Sequence, residues 1–248
     1  TDILLRETVD FASTLECISN PVGGSYISNT IWTGFPLYEL LEEAGLQPGI
    51  VDLELHAEDG YIESIPLDAA LSEETMLVHS MLGEALTPAH GFPLRLIVPN
   101  IFGMKNVKWI TKINAVAEDI QGYWQERGWS DIATVVTMSR IDIPRNNARI
   151  SVGETVVIGG VAFAGNRGVS KVELSFDDGE TWRDAELAEE QSPLSWRLWA
   201  YRFTADIAGQ AKLTVRATDG QGEVQTGEER RALPDGATGW HRRTLNVA

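Results

Sequence analysis

The sequence predicts an α+β fold for the first part of the chain and an immunoglobulin-like β-sandwich for the second. Up to about Thr137, short helical patterns alternate with strand patterns, which is typical of mixed α+β structure. From Ser139 onwards, about seven short strand patterns are separated by turn residues, without a strong helical pattern. The 248 residues are enough for one large domain or two ordinary ones. We therefore expect two domains, at 1–138 and 139–248.

Two segments of the first part carry clear local signals. FPLYELLEEAGL (35–46) has a proline near its start, leucines on one helical face and a glycine stop, so it predicts a helix. VDLELHAEDGYIESIPL (51–67) alternates apolar and polar residues around Asp59-Gly60, so it predicts a β-hairpin. The other predicted elements are strands in TLECIS (14–19), TMLVHSML (75–82), PLRLIVP (93–99) and VKWITKINAVA (107–117), and a short helix in AEDIQGYWQERGW (117–129).

The composition limits the classes of partner. Acidic residues outnumber basic ones by 36 to 20, which gives a formal net charge of −16. Because a phosphate backbone would be repelled by this field, nucleic acid is not an expected partner. No apolar run approaches the length of a membrane span, and the start of the sequence does not have the pattern of a signal peptide.

The chain contains a single cysteine, Cys17, in a predicted strand that runs into the turn NPVGG (20–24). A lone cysteine cannot form a disulfide within the chain, so it is a small apolar filler, a nucleophile or a metal ligand. Its place on a strand favours a buried small residue. Its place at the strand end, before a proline–glycine loop, favours a functional role, because such positions expose side chains to clefts. The residues alone leave both interpretations open.

A second candidate region is LTPAHGFPLRLIVPNIFGMKNVKW (86–109), which concentrates potential cations in a strongly acidic chain. These are His90, Arg95, Lys105 and Lys108. Glycine turns let the backbone approach a ligand closely, and arginine and lysine suit phosphate groups. The pattern is compatible with an anionic cofactor. Taken alone, the pattern is explained better by a turn histidine and a few basic residues without a ligand, since these are common.

Other motifs are structural or absent. SFDDGETW (175–182) has the spacing S-x-D-x-G-x-T-W of an Asp-box, and we interpret it as a hairpin turn rather than as a calcium or sugar site. The four histidines and Cys17 lack the spacing of a zinc site. The sequence also contains no P-loop, no G-x-G-x-x-G and no G-x-S-x-G motif.

Seven segments, in this order along the chain, carry a resemblance to a known family: TLECISNPVGG, WTGFPLYELLEEAGL, YIESIPL, LGEALTPAHGFPLRLIVPNIFGMKNVKWITKI, VSKVELSFDDGETW, SWRLW and GWHRRTL. Taken together, they resemble the sulfite oxidase family of molybdopterin-dependent oxidoreductases. The resemblance implies a partial sulfite-oxidase-type molybdopterin domain at 1–138, followed by an immunoglobulin-like dimerisation domain at 139–248.

The resemblance assigns roles to individual residues. It implies that the Cys17 thiolate ligates molybdenum. A soft thiolate is a suitable ligand for this high-valent metal. It implies that Tyr61 is the active-site tyrosine, a phenol that binds an oxyanion or assists proton movement. Lys105 lies where the family often carries a basic residue. The residues implied to bind the molybdenum-molybdopterin cofactor are Cys17, His90, Arg95, Lys105 and Lys108.

The implied reaction is oxygen-atom transfer, in which the cofactor carries out the redox chemistry and the protein positions and tunes it.

Two differences between this sequence and the family pattern bear on the substrate. The family's sulfite oxidases carry an arginine soon after the ligand cysteine, where this chain has ISNPV (18–22). They carry another before the final Trp-His-Arg, where this chain has Leu233 or a neighbour. The substrate therefore stays open, and the alternatives are a sulfoxide or other oxo-compound reductase and a non-catalytic binding protein.

The resemblance also concerns partners and completeness. It implies a homodimer formed through the C-terminal domain. Because the sequence has no haem or flavin motif, it implies an external electron-transfer partner. The family's cofactor domain normally has many residues before the cysteine, so we expect a portion upstream of Thr1 that completes the pterin cradle. In some bacterial relatives that portion is attached to a membrane. The compartment is left open, and the location that the resemblance raises for the full-length protein is extracytoplasmic or membrane-attached.

Overall fold

The computed structural model describes residues 5–248, which form two compact units. The main division lies between Thr134 and Val135, close to the predicted boundary at 138/139. The N-terminal unit consists of the chain up to Ile18, Ser28–Thr134 and Leu233–Asp235, and the C-terminal unit of Ser19–Ile27, Val135–Ala232 and Gly236–Ala248.

The N-terminal unit contains two sheets and two short helices. Its elements are β1 (Val9–Glu16), β2 (Ile27–Pro36), α1 (Leu37–Ala44), β3 (Asp52–Ala57), β4 (Ile62–Pro66), α2 (Leu67–Ala70), β5 (Met76–Met81), β6 (Glu84–Ala85), β7 (Arg95–Ile97) and β8 (Ile110–Val116). One sheet has the order β1-β2-β5-β6, with β7 also paired to β5, and the other has the order β4-β3-β8. The strand that precedes Cys17 and the strand that begins with Arg95 thus belong to the same sheet.

Local signals explain the first helix and the hairpin. α1 begins after Pro36 and ends at Gly45, whose φ of 73° is left-handed and whose amide bonds back to Leu41 and Glu42. Buried leucines of α1 pack into one core cluster with apolar residues of β3, β4, β5 and β7. The predicted helix at 35–46 and the predicted hairpin are both confirmed.

The predicted strands at 75–82, 93–99 and 107–117 are confirmed as β5, β7 and β8. The helix predicted at 117–129 is wrong, because that segment contains only the single 3₁₀ turn Gln125–Arg127. Its backbone amides are used elsewhere: the amide of Ile120 donates to the Asp52 carboxylate at 3.1 Å, and the amide of Tyr123 donates to the Ile62 carbonyl at 3.1 Å.

The C-terminal unit consists of two sheets that share one core. Its strands are β9 (Met138–Ile143), β10 (Ala148–Ile150), β11 (Thr155–Phe163), β12 (Val169–Ser175), β13 (Arg183–Asp184), β14 (Glu186–Leu187), β15 (Arg197–Thr204), β16 (Gly209–Asp219) and β17 (His241–Val247). The sheets have the orders β10-β17-β16-β12-β13 and β14-β15-β11-β9. Buried residues of both sheets form one cluster that includes Ile158, Trp199 and Leu213.

The fold is therefore mostly β-strand with few helices, rather than an even mixture of helix and strand. The two-sheet architecture of the C-terminal unit is compatible with the predicted β-sandwich, and its immunoglobulin type stays a prediction. Within residues 5–248, no helix is both long enough and apolar enough to cross a membrane.

The loop Ser19–Ile27, which follows Cys17 closely in the chain, is held by the C-terminal unit. Arg140 donates to the carbonyl oxygen of Gly24 at 2.7 Å. The His241 ring lies so close to Gly23 that a Cβ atom there would be 2.3 Å from its Cδ2. Burial lowers the pKa of His241 to about 4, so the ring is neutral at physiological pH.

The Asp-box segment is a self-contained turn. The Asp177 carboxylate accepts hydrogen bonds from the amide of Thr181 at 2.9 Å and from the hydroxyl of Ser175 at 2.7 Å. The hydrogen bond from the Thr181 hydroxyl, followed by the bonds from the Thr181 amide and the Ser175 hydroxyl, lowers the pKa of Asp177 to about 2. Trp182 donates its indole N–H to the carbonyl of Gly179 at 3.1 Å. The motif's polar groups thus hold the hairpin itself.

Candidate active site

Cys17 directly follows β1 and is exposed. Its neighbours Glu16 and Ile18 are buried, at 6% and 4% exposure. Since successive side chains of an extended chain point to opposite sides, the burial of both neighbours turns the thiol outwards. The interpretation of Cys17 as a buried apolar filler is therefore wrong, and the thiol is accessible to a ligand.

A tight 3₁₀ turn, Gly103–Lys105, connects the region of Cys17 with Tyr61. On one side, Gly103 approaches the backbone before the cysteine, where a Cβ atom would lie 3.3 Å from the carbonyl oxygen of Glu16. On the other side, the Tyr61 hydroxyl donates to the carbonyl oxygen of Met104 at 2.8 Å. The turn therefore contacts Tyr61 directly and lies against the residue immediately before Cys17.

Tyr61 directly precedes β4, and its backbone amide donates a hydrogen bond to the Asp59 carboxylate at 3.1 Å. Its half-buried hydroxyl also lies 2.9 Å from Oε2 of Glu63. Burial, and then the negative charge of Glu63, raises the pKa of Tyr61 far above its usual range. The phenol is thus fully protonated at neutral pH and acts as a hydrogen-bond donor.

Lys105 is 1% exposed and lies inside the unit. Its ammonium forms an ion pair with Glu63 Oε1 at 3.2 Å, donates to the carbonyl of Ser64 at 2.9 Å and approaches Asp131 at 3.5 Å. Because these contacts occupy all three N–H groups, the geometry does not favour Lys105 as a direct cofactor ligand. Its role in cofactor binding stays a prediction, and its observed contacts stabilise the carboxylate behind Tyr61.

Arg95 and Lys108 form a pair of neighbouring cations, which we call the cation cluster, and the backbone of His90 contacts it. The Arg95 guanidinium donates to the carbonyl oxygen of His90 at 3.0 Å and lies over the Trp32 ring, 5.0 Å from its centroid. The residue is 7% exposed, and its Nε has no hydrogen-bond partner. Burial lowers the pKa of Arg95 to about 10, which still leaves it charged at neutral pH.

Lys108 joins Arg95 at the glycine turn of the His-Gly-Phe-Pro segment. Gly91 has a φ of +104°, and a Cβ atom there would lie 3.0 Å from Cβ of Lys108 and 3.1 Å from Cβ of Arg95. The Lys108 ammonium lies 4.1 Å from the Trp109 ring centroid. Burial and the charge of Arg95 lower the pKa of Lys108. The exposed imidazole of His90 lies at the same turn, with its Nδ1 2.8 Å from the Thr87 hydroxyl.

The cation cluster has a distinctive electrostatic property. Among the described residues, no carboxylate lies within ion-pair distance of Arg95 or Lys108, although acidic residues predominate in the chain. Asp59 acts on Lys108 only through its more distant charge. Cations in such a position suit an anionic ligand, which would also supply the acceptor that the Arg95 Nε lacks.

The six predicted site residues lie in two groups and one interior position. The Gly103–Lys105 turn contacts Tyr61 and the segment before Cys17, while Arg95 and Lys108 form the cation cluster beside the backbone of His90. Lys105 lies in the interior. Glu63 was not among the predicted residues, and its partner Lys105 is 42 residues away in the chain. The available signal was an acidic residue inside an otherwise apolar strand, IESIP.

Three features are compatible with a protein that binds a metal together with an anionic organic cofactor. They are the exposed thiol of Cys17, the protonated Tyr61, and a cation cluster that has no carboxylate within ion-pair distance among the described residues. Within the part of the chain that the structure describes, no group of three or more His, Cys, Asp or Glu residues is arranged to hold a metal ion. A metal at Cys17 would therefore need most of its ligands from a cofactor.

Comparison with known proteins identifies the family. Residues 1–124 match the oxidoreductase molybdopterin binding domain, and residues 130–248 match the Mo-co oxidoreductase dimerisation domain. The chain thus belongs to the sulfite oxidase family of molybdopterin-dependent oxidoreductases, whose cofactor is molybdenum-molybdopterin.

Individual relatives support this assignment. The chain is 28% identical to sulfite oxidase of Arabidopsis thaliana over 81% of its own length and 62% of the plant protein. It is 30% identical to mitochondrial sulfite oxidase of Homo sapiens over 80% of its own length and 42% of the human protein. The chain thus spans less than two thirds of these relatives. In fold, it resembles the crystal structure of the sulfane dehydrogenase SoxCD from Paracoccus pantotrophus, with a TM-score of 0.84 and 23% identity, covering 100% of this chain and 73% of that one.

The residues present fit the family's cofactor. The exposed Cys17 offers a soft sulfur ligand to a high-valent metal. The partnerless Nε of the buried Arg95 offers a fixed donor, and Lys108 offers a second charge for a phosphate group. Gly91 allows the two cations to lie against the same backbone turn. These four features agree with the donor set that a phosphorylated pterin and its metal require.

Proposed function

We propose that the protein is a molybdenum-dependent oxidoreductase that catalyses oxygen-atom transfer. The observation that carries the proposal is the exposed thiol of Cys17, joined through one 3₁₀ turn to the protonated Tyr61. When bound, the cofactor supplies oxygen-atom transfer coupled to a redox change. The protein's own part is to ligate, orient and move protons.

The side chains divide these tasks. Cys17 ligates molybdenum, and Arg95, Lys108 and His90 bind the pterin and its phosphate. The family resemblance assigns Tyr61 to the active site, and its raised pKa keeps its proton in place. A substrate or product oxygen that accepts this proton would have to replace the Met104 carbonyl or the Glu63 carboxylate as its acceptor. These roles are carried over from the family to residues whose position here is compatible with them.

The substrate class is an oxo-anion or oxo-compound of modest charge. Sulfite would need fixed cations beside the metal, and the segment ISNPV after Cys17 supplies none. Leu233, at the second expected arginine position or beside it, is 54% exposed and uncharged. Reduction of a sulfoxide or a similar oxo-compound is therefore the alternative to oxidation of sulfite.

The proposal includes two protein partners. The match of residues 130–248 to a dimerisation domain supports a homodimer, which light scattering of the purified protein would detect as twice the chain mass. An external electron carrier is the second partner. A strictly monomeric protein at high concentration would contradict the first.

The decisive experiment uses the full-length protein from a host that makes molybdopterin. We expect about one molybdenum and one pterin per chain, and turnover of sulfite or dimethyl sulfoxide with artificial electron carriers. Cys17→Ser should abolish turnover and the sulfur-to-metal charge-transfer absorption, because it removes the thiolate. The control is Ser28→Ala, an exposed change in β2.

Two outcomes would overturn the proposal. Full turnover of a metal-loaded Cys17→Ser protein would reject Cys17 as the ligand. The absence of molybdenum and pterin from the full-length protein would favour the non-catalytic binding protein instead.

A further inference from the structure

The two sheets of the C-terminal unit have outer faces of different character. On the sheet β10-β17-β16-β12-β13, charged residues of neighbouring strands pair across the outer face. Glu173 of β12 accepts hydrogen bonds from Lys171 at 2.8 Å and from Arg216 of β16 at 2.8 Å. Lys212 and Thr244 lie opposite each other on the same face. An antiparallel sheet has such polar outer positions where that face is in contact with water.

The sheet β14-β15-β11-β9 has apolar residues on its outer face instead. Ile143 of β9, Val157 of β11 and Leu198 of β15 are 52%, 43% and 51% exposed. Val157 and Leu198 each precede a core residue, Ile158 and Trp199, so they point away from the core. Among the described residues, the other large apolar side chains of this unit that are exposed lie outside its strands. Single exposed apolar residues are ordinary, whereas three on one sheet face form a patch.

The strand register places the three apolar residues around a floor of small residues. Gly159 lies opposite Ile143 on one side and opposite Ala200 on the other. A Cβ atom at Gly159 would lie 3.5 Å from Cγ1 of Ile143, so both residues share the face. Val157 is two positions before Gly159, and Leu198 is two before Ala200. Since side chains two apart on a strand point to the same side, these five residues form one surface, which we call the β11/β15 face.

The β11/β15 face is bordered by one charge of each sign. Arg202 lies opposite Val157, and Glu186 lies opposite Ala200. The formal net charge of the chain is −16, so two copies repel each other on average. Because the two bordering charges balance, a second copy can approach this face with less repulsion than the overall charge imposes.

We infer that the β11/β15 face is the surface through which two copies of the chain form the homodimer. The inference rests on the homodimer of the proposed function and adds its surface. The face lies within residues 130–248, which match a dimerisation domain. Burial of its apolar side chains favours association. In a two-fold dimer the same face comes from both copies, so Leu198 and Val157 of one copy would pack over the small residues of the other.

The test replaces one apolar residue of the face by lysine in the full-length protein. Leu198→Lys and Val157→Lys each place two charges in the dimer interface, since every residue of a two-fold interface occurs twice. We expect the dissociation constant of the dimer, measured by analytical ultracentrifugation, to rise at least about 100-fold.

The matched control is Ile207→Lys. It makes the same change of charge at an apolar side chain that is 82% exposed, in the turn between β15 and β16. We expect this variant to keep the dissociation constant of the wild type, because it lies outside the β11/β15 face.

Circular dichroism verifies that each variant is folded. Leu198→Gln is a milder second variant for the case that the lysine variants lose their secondary structure. It removes the apolar side chain without adding a charge, and we expect it to raise the dissociation constant about tenfold.

The results that would overturn the inference differ from those that would overturn the homodimer. A dimeric wild type whose folded variants at Leu198 and Val157 associate equally tightly would reject the face and leave the homodimer intact. Dissociation by Ile207→Lys alone would move the interface to the turn between β15 and β16. A wild type that stays monomeric at high concentration would contradict the homodimer itself, and the face with it.

Discussion

Replacing Lys105 by methionine tests the energetics of the buried pair. The side chains of Lys105 and Glu63 are 1% and 0% exposed and lie 3.2 Å apart. Methionine preserves the apolar stem of lysine but leaves the Glu63 carboxylate without its ammonium partner. Removing one partner of a buried ion pair typically costs 3–5 kcal/mol, so we expect the free energy of unfolding to fall by about that amount.

Urea denaturation, followed by tryptophan fluorescence, measures this loss. For a chain of this size, about 3–5 kcal/mol corresponds to a Tm lower by roughly 6–20 °C. The double variant Lys105→Met with Glu63→Gln should recover most of the loss, because it leaves no unpaired charge. The control Lys112→Met, on the exposed side of β8, should change stability by less than about 0.5 kcal/mol.

A Lys105→Met variant as stable as the control would refute this expectation. That result would mean that the folded state does not need the Lys105 ammonium to hold the Glu63 carboxylate. A double variant less stable than Lys105→Met alone would also contradict it, since it would show that the two charges are not the source of the loss.

Three further predictions follow from the cation cluster and the His241 ring. Arg95→Lys should reduce bound pterin at least about tenfold, measured by fluorescence after oxidation, because lysine lacks the guanidinium Nε and the planar donor fork. Gly91→Ala should destabilise the protein in urea by about 1–3 kcal/mol, since it strains a φ of +104° and crowds Lys108; unchanged stability would contradict the close approach. The folded pKa of His241 lies at about 4, below its ordinary 6.5, so the unfolded chain binds more protons and stability falls as pH drops from about 6.5 towards 4. Urea titrations should show a loss of about 3 kcal/mol across that window, and His241→Asn should remove the dependence while keeping an acceptor for the Ile141 amide.

Much of the fold was predictable because its signals are local. The helix Leu37–Ala44 lies between a proline and a left-handed glycine, and the hairpin of β3 and β4 alternates around Asp59-Gly60. β2 was not predicted, because ISNTIWTGFP mixes polar and apolar residues without a regular period. The helix expected at 117–129 failed because the amides of that segment bond to the β3–β4 hairpin.

Residue type and chain position were enough to propose the candidate site. Cys17 at a strand end is exposed, and Arg95 and Lys108 lie against the same His-Gly-Phe-Pro turn, while their roles stay predictions. The role of Lys105 was not predictable, because its environment is set by Glu63, which is distant in the chain. Sequence spacing identifies a cation, and only the packing shows whether that cation faces a ligand or a carboxylate.

Because the described chain has one exposed thiol, the reactivity of that thiol can report the fraction of molecules that carry the metal. A maleimide dye can react with no other cysteine in the chain, so labelling reports on one atom. Metal coordination of that sulfur should block the reaction, and the fraction of chains that resist the dye would then count loaded molecules directly, in crude extract as well as in purified material.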